Sequence, residues 1–450
     1  MRKMLLCLLL TSVIVRSQTN PAITKWLQNT TVTGTYYVSG NSTPISNGIL
    51  VNCQQVRYSA NWSYVNTAGI PAYAVGPYLD GNPNQAGNQN AIFRFPLNPT
   101  QNTGTPTATT GGNIGVFING VAMYDFRDGV AWNSTTNALC GGPGNPTCTG
   151  TPAWYRDAVL YERPGFDCSK GHPGGTNYHH HQNPSAFDLD LNVISNICNL
   201  YDADGLYAIN TSEHSPLIGF AYDGFPVYGA YGYANTDGTG GITRIKSGYQ
   251  LRNITVRTHH ANGTDVNDGP AVSATYPLGY FREDYEWISH PGDASYLDEH
   301  NGRFCITPEY PSGIYCYFAT VDANHNSYYP YLVGPTYYGN KTAAKVTTVS
   351  ETTTTYTPTL STTDSNLKEE SLVIFPNPSS DLIAIQMEGL VGSTLKIDLF
   401  DIAGRLVKST TINAGQTISY FDVQDVYSGT YFIKISDGNK SLSRTIAIQK

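Results

Sequence analysis

Charged residues make up only 13% of this 450-residue chain, about half the usual share of roughly 25%. Acidic residues (34) outnumber basic ones (26), which gives a net charge of −8. This balance argues against nucleic acid and anionic lipid as partners. The sequence also lacks a Cys-x-x-Cys pair, a serine-hydrolase elbow, a phosphate-binding glycine loop and a dinucleotide fingerprint. Glycine (44) and tyrosine (33) are plentiful instead, which favours strands, turns and long ordered loops over helices.

Long apolar runs are also missing beyond the start of the chain. A charged start at Arg2 precedes an apolar run from Met4 to Val15, and Ser17 supplies a small residue. This pattern predicts a secretory signal over residues 1–17, with cleavage after Ser17. No later run approaches the ~18 apolar residues of a membrane-spanning helix. We therefore expect a mature chain that is exported through the periplasm and has no transmembrane segment.

Seven cysteines remain after the predicted signal, and in an oxidising compartment disulfides are their default state. Short sequence separation favours Cys140–Cys148 across a glycine- and proline-rich loop and Cys305–Cys316 across a predicted hairpin. Cys168–Cys198 is a third candidate pair, although connectivity cannot be deduced from sequence alone. Cys53 is then left over, either as a buried thiol or in a different pairing.

Composition divides the chain into three parts after the signal. Residues 341–370 are dominated by threonine and serine and predict an extended, solvated linker. Before it, residues 18–340 form a large body with recurrent strand patterns and an expected helix over Asp188 to Leu200. After it, residues 371–450 show six or seven short strands, which predict a small β-sandwich. The fold class is therefore mainly β, a β-rich body domain with long ordered loops and few helices followed by a C-terminal sandwich.

The last 80 residues carry three motifs in a fixed order, ahead of the basic last residue. The motifs are Phe375-Pro376-Asn377-Pro378, Leu399–Val407 and Ser428–Ile435. This segment resembles the C-terminal sorting domain of the Bacteroidetes type IX secretion system. The resemblance implies that the tail engages the type IX secretion machinery and is later cleaved. It further implies that the body is either attached to the outer-membrane surface or secreted, and that the tail carries no catalysis.

All ten histidines lie within residues 172–325, in the second half of the body. If the dense stretch Tyr178–His181 is a strand, its side chains alternate between faces, so that His179 and His181 share one face. Two imidazoles at this spacing can converge on a metal ion, and zinc and copper are the candidate cofactors. The candidate ligands are His172, His179, His181 and His214. The alternative is that these histidines only bond to loop backbones and tyrosine hydroxyls.

Several further stretches of the body occur in a consistent order. They are Gly69-Ile70-Pro71, Gly115–Val121, Asp128-Gly129, Gly171-His172-Pro173, His214–Gly229, Leu297–Arg303, Tyr315–Phe318 and Tyr329–Tyr331. With the histidine-rich stretch, they make the body similar to the YHYH protein family, named for a Tyr-His-Tyr-His core. His180 stands where the name has its second tyrosine, which leaves the His179/His181 pair intact. The resemblance identifies the domain rather than an activity, so whether the chain is an enzyme stays open.

Two functions compete for the body. In the first, the histidines bind a metal ion, and the site either only holds the ion or supports metal-assisted hydrolysis at an open coordination position. The assisting residues would be Glu213 as general base, with Asp298, Glu299 and Arg303 to orient substrate or stabilise negative charge. These last three residues are alternatively a structural ion-pair network. In the second function, the body is a non-catalytic surface module that binds glycans or another extracellular polymer through aromatic rings. Solvent-facing tyrosine and tryptophan rings would favour the second function, and rings packed around buried histidines the first.

Overall fold

The computed structural model describes residues 20–78, 80, 82, 84–185, 206–358, 372–387, 394–402, 404–413, 418–436 and 441–450. The chain divides into two compact units, with the division between Thr357 and Pro358. The predicted signal, the expected helix over residues 188–200 and Cys198 lie outside the described residues. Among the residues that are described, no helix combines the length and apolarity needed to cross a membrane.

The described part of the first unit contains short strands and two single-turn α-helices joined by long loops, with 3₁₀ helices at Arg163–Gly165 and Arg282–Asp284. In chain order they are α1 Pro21–Thr24, β1 Thr33–Val38, β2 Asn41–Leu50, β3 Cys53–Tyr58, β4 Trp62–Thr67, β5 Ala91–Pro96, β6 Asn113–Phe117, β7 Ala122–Tyr124, β8 Arg127–Asn133, β9 Ala138–Cys140, β10 Tyr155–Asp157, α2 Ala158–Tyr161, β11 Gly171–Gly174, β12 Asn177–His180, β13 Leu217–Ala221, β14 Pro226–Tyr228, β15 Tyr231–Tyr233, β16 Ile242–Arg244, β17 Tyr249–Leu251, β18 Tyr285–Trp287, β19 Gly302–Cys305, β20 Ile314–Phe318, β21 Ala344–Val346 and β22 Thr354–Tyr356. This composition confirms the mainly β prediction for the body.

Two larger sheets build the first unit. One has eight strands in the order β11-β12-β7-β6-β13-β14-β20-β19, and the other has five in the order β21-β5-β4-β3-β22. Trp26, which follows α1, contacts Phe95 of the five-stranded sheet and Phe220 of the eight-stranded sheet, with ring centroids 5.3 Å apart in both pairs. Because large aromatic side chains remove much apolar surface from water, this shared core stabilises both sheets. The hairpin β11–β12 lies at one end of the larger sheet, outside its most buried strands.

The predicted linker begins inside the first unit. The strand β21 pairs with β5, and β22 pairs with β3, so this segment supplies both edge strands of the five-stranded sheet. Tyr64 of β4 also donates a hydrogen bond to Glu351, between the two added strands. Residues 341–357 therefore belong to the first unit, to whose sheet they contribute two strands, and do not form a solvated tether. The physical reason is that threonine is β-branched and suits strands as well as loops.

The second unit has its own core between two sheets. Its strands are β23 Leu372–Phe375, β24 Leu382–Met387, β25 Leu395–Asp401, β26 Leu406–Ile412, β27 Ile418–Asp422, β28 Gly429–Ser436 and β29 Ser441–Ile448. They form a three-stranded sheet, β23-β24-β27, and a four-stranded sheet, β26-β25-β28-β29. Alternate residues of β28, namely Tyr431, Ile433 and Ile435, are buried against Ile383 and Ile385 of β24. The prediction of a small β-sandwich is confirmed.

The cysteines follow the predicted pairs only in part. Cys140–Cys148 is a disulfide. Cys168 is also disulfide-bonded, but its expected partner lies outside the described residues. Cys305–Cys316 is not bonded: both thiols are buried, with the sulfur atoms 3.3 Å apart. The pairing of β19 with β20 places Cys305 opposite Ile314 rather than Cys316, so the two residues are diagonal neighbours. Cys53 is a buried thiol.

Candidate metal centre

The hairpin β11–β12 places three histidines on one face. His172 lies directly opposite His179 in the antiparallel register. A two-residue turn sets this register, and Gly175 adopts the positive φ (62°) that the turn requires. Side chains opposite each other on neighbouring strands lie about 5 Å apart at Cβ. His181 directly follows β12 and returns to the face of His179 because side chains alternate along a strand.

The opposite face of the same strand points into a different part of the protein. Tyr178 donates a hydrogen bond to Asp167 (2.7 Å), and His180 Nε2 lies 2.7 Å from the hydroxyl of Tyr73. Both side chains are fully buried. The predicted division between His179 and His181 on one face and Tyr178 and His180 on the other is confirmed by these contacts. His180, at the position of the family's second tyrosine, is thus not part of the cluster.

One nitrogen from each of His172, His179 and His181 lies within 4.8 Å of the others. The three side chains are almost inaccessible, with exposed fractions of 7%, 2% and 3%. His179 Nε2 and His181 Nε2 are 3.2 Å apart. Nitrogen atoms in such proximity, on rigid neighbouring strands, match the requirement for imidazole coordination of a transition-metal ion.

Backbone carbonyls fix the tautomers of two of these rings. His179 Nδ1 lies 2.9 Å from the carbonyl oxygen of Asn177, and His181 Nδ1 lies 2.5 Å from that of Asp125. A carbonyl oxygen only accepts hydrogen bonds, so each Nδ1 carries the proton. In the neutral rings each Nε2 therefore presents its lone pair to the other. This outer support is typical of metal-ligating histidines, whose second nitrogen donates to a carbonyl or carboxylate.

His172 and Glu162 complete the cluster, but several of their buried polar atoms have no hydrogen-bond partner among the described residues. Glu162 Oε2 lies 3.4 Å from His172 Nε2 and 3.2 Å from His181 Nε2. Neither contact has the geometry of a hydrogen bond, and Glu162 Oε2 and both ring nitrogens of His172 are buried without a hydrogen-bond partner among the described residues. Buried polar atoms without partners cost free energy and are rare in folded proteins. Glu162 Oε2 and one nitrogen of His172 lie close to the nitrogens of the other two histidines.

Glu162 is a site residue that the sequence did not reveal. It follows α2, which Asp157 caps by accepting a hydrogen bond from Leu160 N at 3.1 Å. An N-cap signal of this kind predicts a helix start, but it does not predict where the residue after a single-turn helix points. The helix end, not the hairpin, delivers this carboxylate to the histidines.

The electrostatics of the cluster differ from one residue to the next. Burial lowers the pKa of His179 well below its ordinary value, and the neighbouring imidazoles act in the same direction. Burial also acts to lower the pKa of His181, but Glu162 and the Asp125 carbonyl outweigh it and raise that pKa. For Glu162, burial acts to raise the pKa, whereas the proximity of His172 and His181 lowers it to about 2. A neutral His179 and an ionised Glu162 are the protonation states that a cation at this position requires.

A cavity of about 660 Å³ opens in front of the cluster, and His172, His179, His181 and Glu162 all line it. Tyr124 lines it as well, and its ring stacks on that of His179 with centroids 3.6 Å apart. Asn177 donates a hydrogen bond to the Tyr124 hydroxyl at 3.0 Å. The cluster is therefore both buried and reachable by a small ligand.

His214 is not brought to this cluster. Its Nδ1 bonds to the carbonyl of Ser215 at 2.7 Å, and its ring packs against Tyr228 and Tyr233, with centroids 5.2 and 5.0 Å away. Within the described residues, only the other three predicted ligands form a group that could hold a metal ion. His214 precedes β13, which is separated from β12 by two other strands in the eight-stranded sheet. The expectation of a fourth histidine ligand is not met for this reason.

The four predicted assisting residues also lie elsewhere, because none of them lines the cavity. Glu213 is exposed beside His214. Asp298 accepts hydrogen bonds from Tyr315 and from the backbone of His300, both at 2.9 Å, so it stabilises a turn. Glu299 is about half exposed (54%). Arg303 is buried and donates to the backbone carbonyls of Ala294 and Tyr233. Asp298 and Arg303 therefore support loops, and they do so without an ion pair between them.

Fold and site together define a two-unit β protein with a buried three-histidine centre. The chain belongs to the YHYH protein family, because the family model for the YHYH protein matches residues 92–330, more than half of the 450 residues. A second model, the secretion system C-terminal sorting domain, matches residues 373–449. No curated protein matches the chain. The sorting domain indicates export by type IX secretion to the cell surface or the extracellular space, with the secretion machinery as partner.

Proposed function

We propose that the first unit binds one zinc or copper ion through His172, His179 and His181. The observation that carries the proposal is a group of three buried imidazoles, each with a nitrogen within 4.8 Å of the others, in which both His172 nitrogens and the adjacent Glu162 Oε2 have no hydrogen-bond partner among the described residues. A bound cation would satisfy these groups and offset the cost of burying them. Imidazole is a common ligand of both metals, and the carbonyl-bound Nδ1 atoms of His179 and His181 supply the outer support.

Metal-assisted hydrolysis is the chemistry that this arrangement supports. Three protein ligands and one open position are typical of catalytic zinc sites, in which the ion lowers the pKa of bound water to about 7. The cavity gives the open position access to a small substrate. Glu162, within 3.4 Å of two of the imidazoles, takes the general-base role for which the sequence suggested Glu213.

The burial of aromatic rings favours this function over an exposed glycan-binding surface. No tyrosine or tryptophan in the described part of the first unit is exposed. Rings surround the histidines instead, with Tyr124 stacked on His179 and Phe166 packed edge-on against His172 at 4.9 Å. A polymer-binding module would need several of these rings to face solvent.

Metal analysis of matched histidine variants tests the proposal. The wild-type chain, loaded with zinc or copper and then desalted, should retain one ion per chain by mass spectrometry. His179→Ala and His181→Ala should each weaken binding by about 100-fold or more, since each removes a ligand. His180→Asn is the control, because His180 is equally buried on the same strand but bonds to Tyr73 on the other face. Stoichiometry near zero in the wild type, or equal retention by His179→Ala and His180→Asn, would overturn the proposal.

A further inference from the structure

The imidazole of His179 is enclosed by close neighbours within the first unit. Tyr124 stacks on it, with ring centroids 3.6 Å apart and ring planes 15° from parallel. His172 packs against it edge-on at 4.7 Å. On β11, a Cβ added at Gly174 would lie only 3.2 Å from the Cε1 atom of His179, so the backbone itself bounds the ring there. An imidazole packed in this way has few orientations open to it.

Asn177 connects the two stacked rings. Its carbonyl oxygen lies 2.9 Å from His179 Nδ1, and its side-chain Nδ2 donates to the hydroxyl of Tyr124 at 3.0 Å. The same Nδ2 atom also lies 3.3 Å from Asn113 Oδ1, a second acceptor. One residue therefore holds the ring of His179 through its backbone and the stacking partner of that ring through its side chain. Hydrogen-bond networks whose members are satisfied make a site rigid.

The stack also joins the histidine hairpin to the rest of the larger sheet. Tyr124 is the last residue of β7, which pairs with β12 on one side and with β6 on the other. The hairpin β11–β12 lies at the end of this sheet, so β7 is its neighbour on the inner side. The Tyr124 ring is edge-on to His181 as well, with centroids 5.7 Å apart. It therefore contacts both of the histidines whose Nε2 atoms are 3.2 Å apart.

From these contacts we infer that Tyr124 is a positioning residue, whose ring holds the imidazole of His179 in the orientation that presents Nε2 to a metal ion. The inference rests on the proposed metal site. Outer groups that orient a ligating imidazole typically change metal affinity by about 10- to 100-fold when they are removed. The ring of Tyr124 matters more than its hydroxyl, since Asn177 Nδ2 keeps Asn113 as an acceptor when the hydroxyl is absent.

The chain contains a second stack of nearly the same geometry away from the histidine cluster. Tyr296 stacks on His290, with centroids 3.7 Å apart and ring planes 15° from parallel. Tyr296 is partly buried, as Tyr124 is, and neither residue of this second stack lines the cavity in front of the cluster. Tyr296→Leu is therefore a matched control for Tyr124→Leu. Each variant removes one ring from one imidazole, and only the second variant should affect the metal site.

Zinc affinity of the mature full chain, measured by competition with a chromophoric chelator, tests the inference. Tyr124→Leu should bind zinc about 10- to 100-fold more weakly than the wild type. Tyr124→Phe retains the ring and should bind within about threefold of the wild type, since a single hydrogen bond contributes little. Tyr296→Leu should bind as the wild type does. If the wild type binds zinc, the inference is overturned by equal affinity in Tyr124→Leu, or by an equal loss in Tyr124→Leu and Tyr296→Leu.

NMR of the imidazole nitrogens in the metal-free chain gives a readout that does not require an ion. The wild type should show His179, assigned with His179→Asn, as a single tautomer that carries its proton on Nδ1. Tyr124→Leu should shift both ring nitrogens toward averaged values, because the ring can then leave the Asn177 carbonyl, whereas Tyr124→Phe and Tyr296→Leu should not. If the wild type binds no zinc, the metal proposal fails, and the tautomer alone decides whether Tyr124 orients His179. An unchanged tautomer in Tyr124→Leu would then overturn this role too.

Discussion

At the scale of single residues, the three histidines differ in how firmly they are held. His179 and His181 each have one nitrogen fixed by a backbone carbonyl, whereas neither nitrogen of His172 has a partner among the described residues. Glu162 Oε2 lies close both to His172, which is held less firmly, and to His181, whose pKa is raised. The carboxylate is therefore placed to orient His172, and it also favours the protonated form of His181 by raising its pKa.

Glu162→Gln should weaken metal binding without abolishing it. We expect the variant to keep one zinc ion per chain but to bind it about 10- to 100-fold more weakly, because removal of a supporting group has this effect at other sites. Competition with a chromophoric chelator measures the affinity, and atomic mass spectrometry measures the stoichiometry. An affinity equal to that of the wild type would show that the carboxylate does not act on the ion.

Asp223 should make the stability depend on pH. Burial raises the pKa of its carboxyl to about 6, although hydrogen bonds from Tyr317 and from Gly339 N oppose the shift. The protonated form is favoured by folding, so the contribution is fully present below the unfolded pKa near 4 and is lost as pH rises through 6. A shift of about two units corresponds to about 3 kcal/mol.

Urea unfolding at pH 4 and pH 7 tests this dependence. Buried Asp157 and Asp167 also have raised pKa values, of about 7 and about 6, so the wild type loses stability from several groups over the same interval. The informative quantity is the difference between the wild type and Asp223→Asn. The variant should lose up to about 3 kcal/mol less between the two pH values. An identical loss in both proteins would mean that the Asp223 pKa is not raised.

At the scale of elements, local patterns were predictable and long-range placement was not. Alternation along Tyr178–His181 predicted correctly which histidines share a face, because the side-chain period of a strand is fixed by its backbone. The pairing of His172 with His179 depends only on a short turn, which lies close in sequence. His214 and Glu162 depend instead on which strands become neighbours and on where a helix ends. No local periodicity encodes these relations. For this reason His214 was wrongly expected at the site, and Glu162 was missed.

The segment after residue 340 should matter for the stability of the first unit. A chain that ends at Asn340 lacks both added edge strands and exposes the edges of β3 and β5, whereas a chain that ends at Thr357 keeps them. Tyr356 packs against the main core, and burying a side chain of this kind contributes about 1.5–3 kcal/mol. We expect the shorter chain to be less stable by at least about 2 kcal/mol in urea unfolding. Equal stability of the two chains would show that residues 341–357 do not stabilise the first unit and behave as a linker.

At the scale of the whole molecule, two units with separate cores divide the tasks. The core of the first unit includes Tyr178 of the histidine hairpin, and the core of the second is formed by its own two sheets. The division falls at residues 357 and 358, close to where the sorting-domain match begins at residue 373. The site therefore depends on residues of the first unit alone, and the sorting domain serves export.

Removal of the sorting domain should leave the metal site unchanged. A chain comprising residues 18–357 should bind one zinc ion with the affinity of the mature full-length chain, because every proposed ligand and its supports lie in the first unit. Isothermal titration under identical buffer conditions compares the two. A loss of more than about tenfold in affinity on truncation would show that the second unit contributes to the site.

The three imidazoles lie within one ten-residue segment, residues 172–181, closed by a two-residue turn. Closing so short a loop has a small entropic cost, and hairpins form within about 1–10 μs. The three imidazoles can thus come together early in folding, ahead of the distant strand pairings that complete the sheet. An ion that binds the folded hairpin would stabilise it, so the proposed metal binding and the folding of this segment form a single coupled equilibrium.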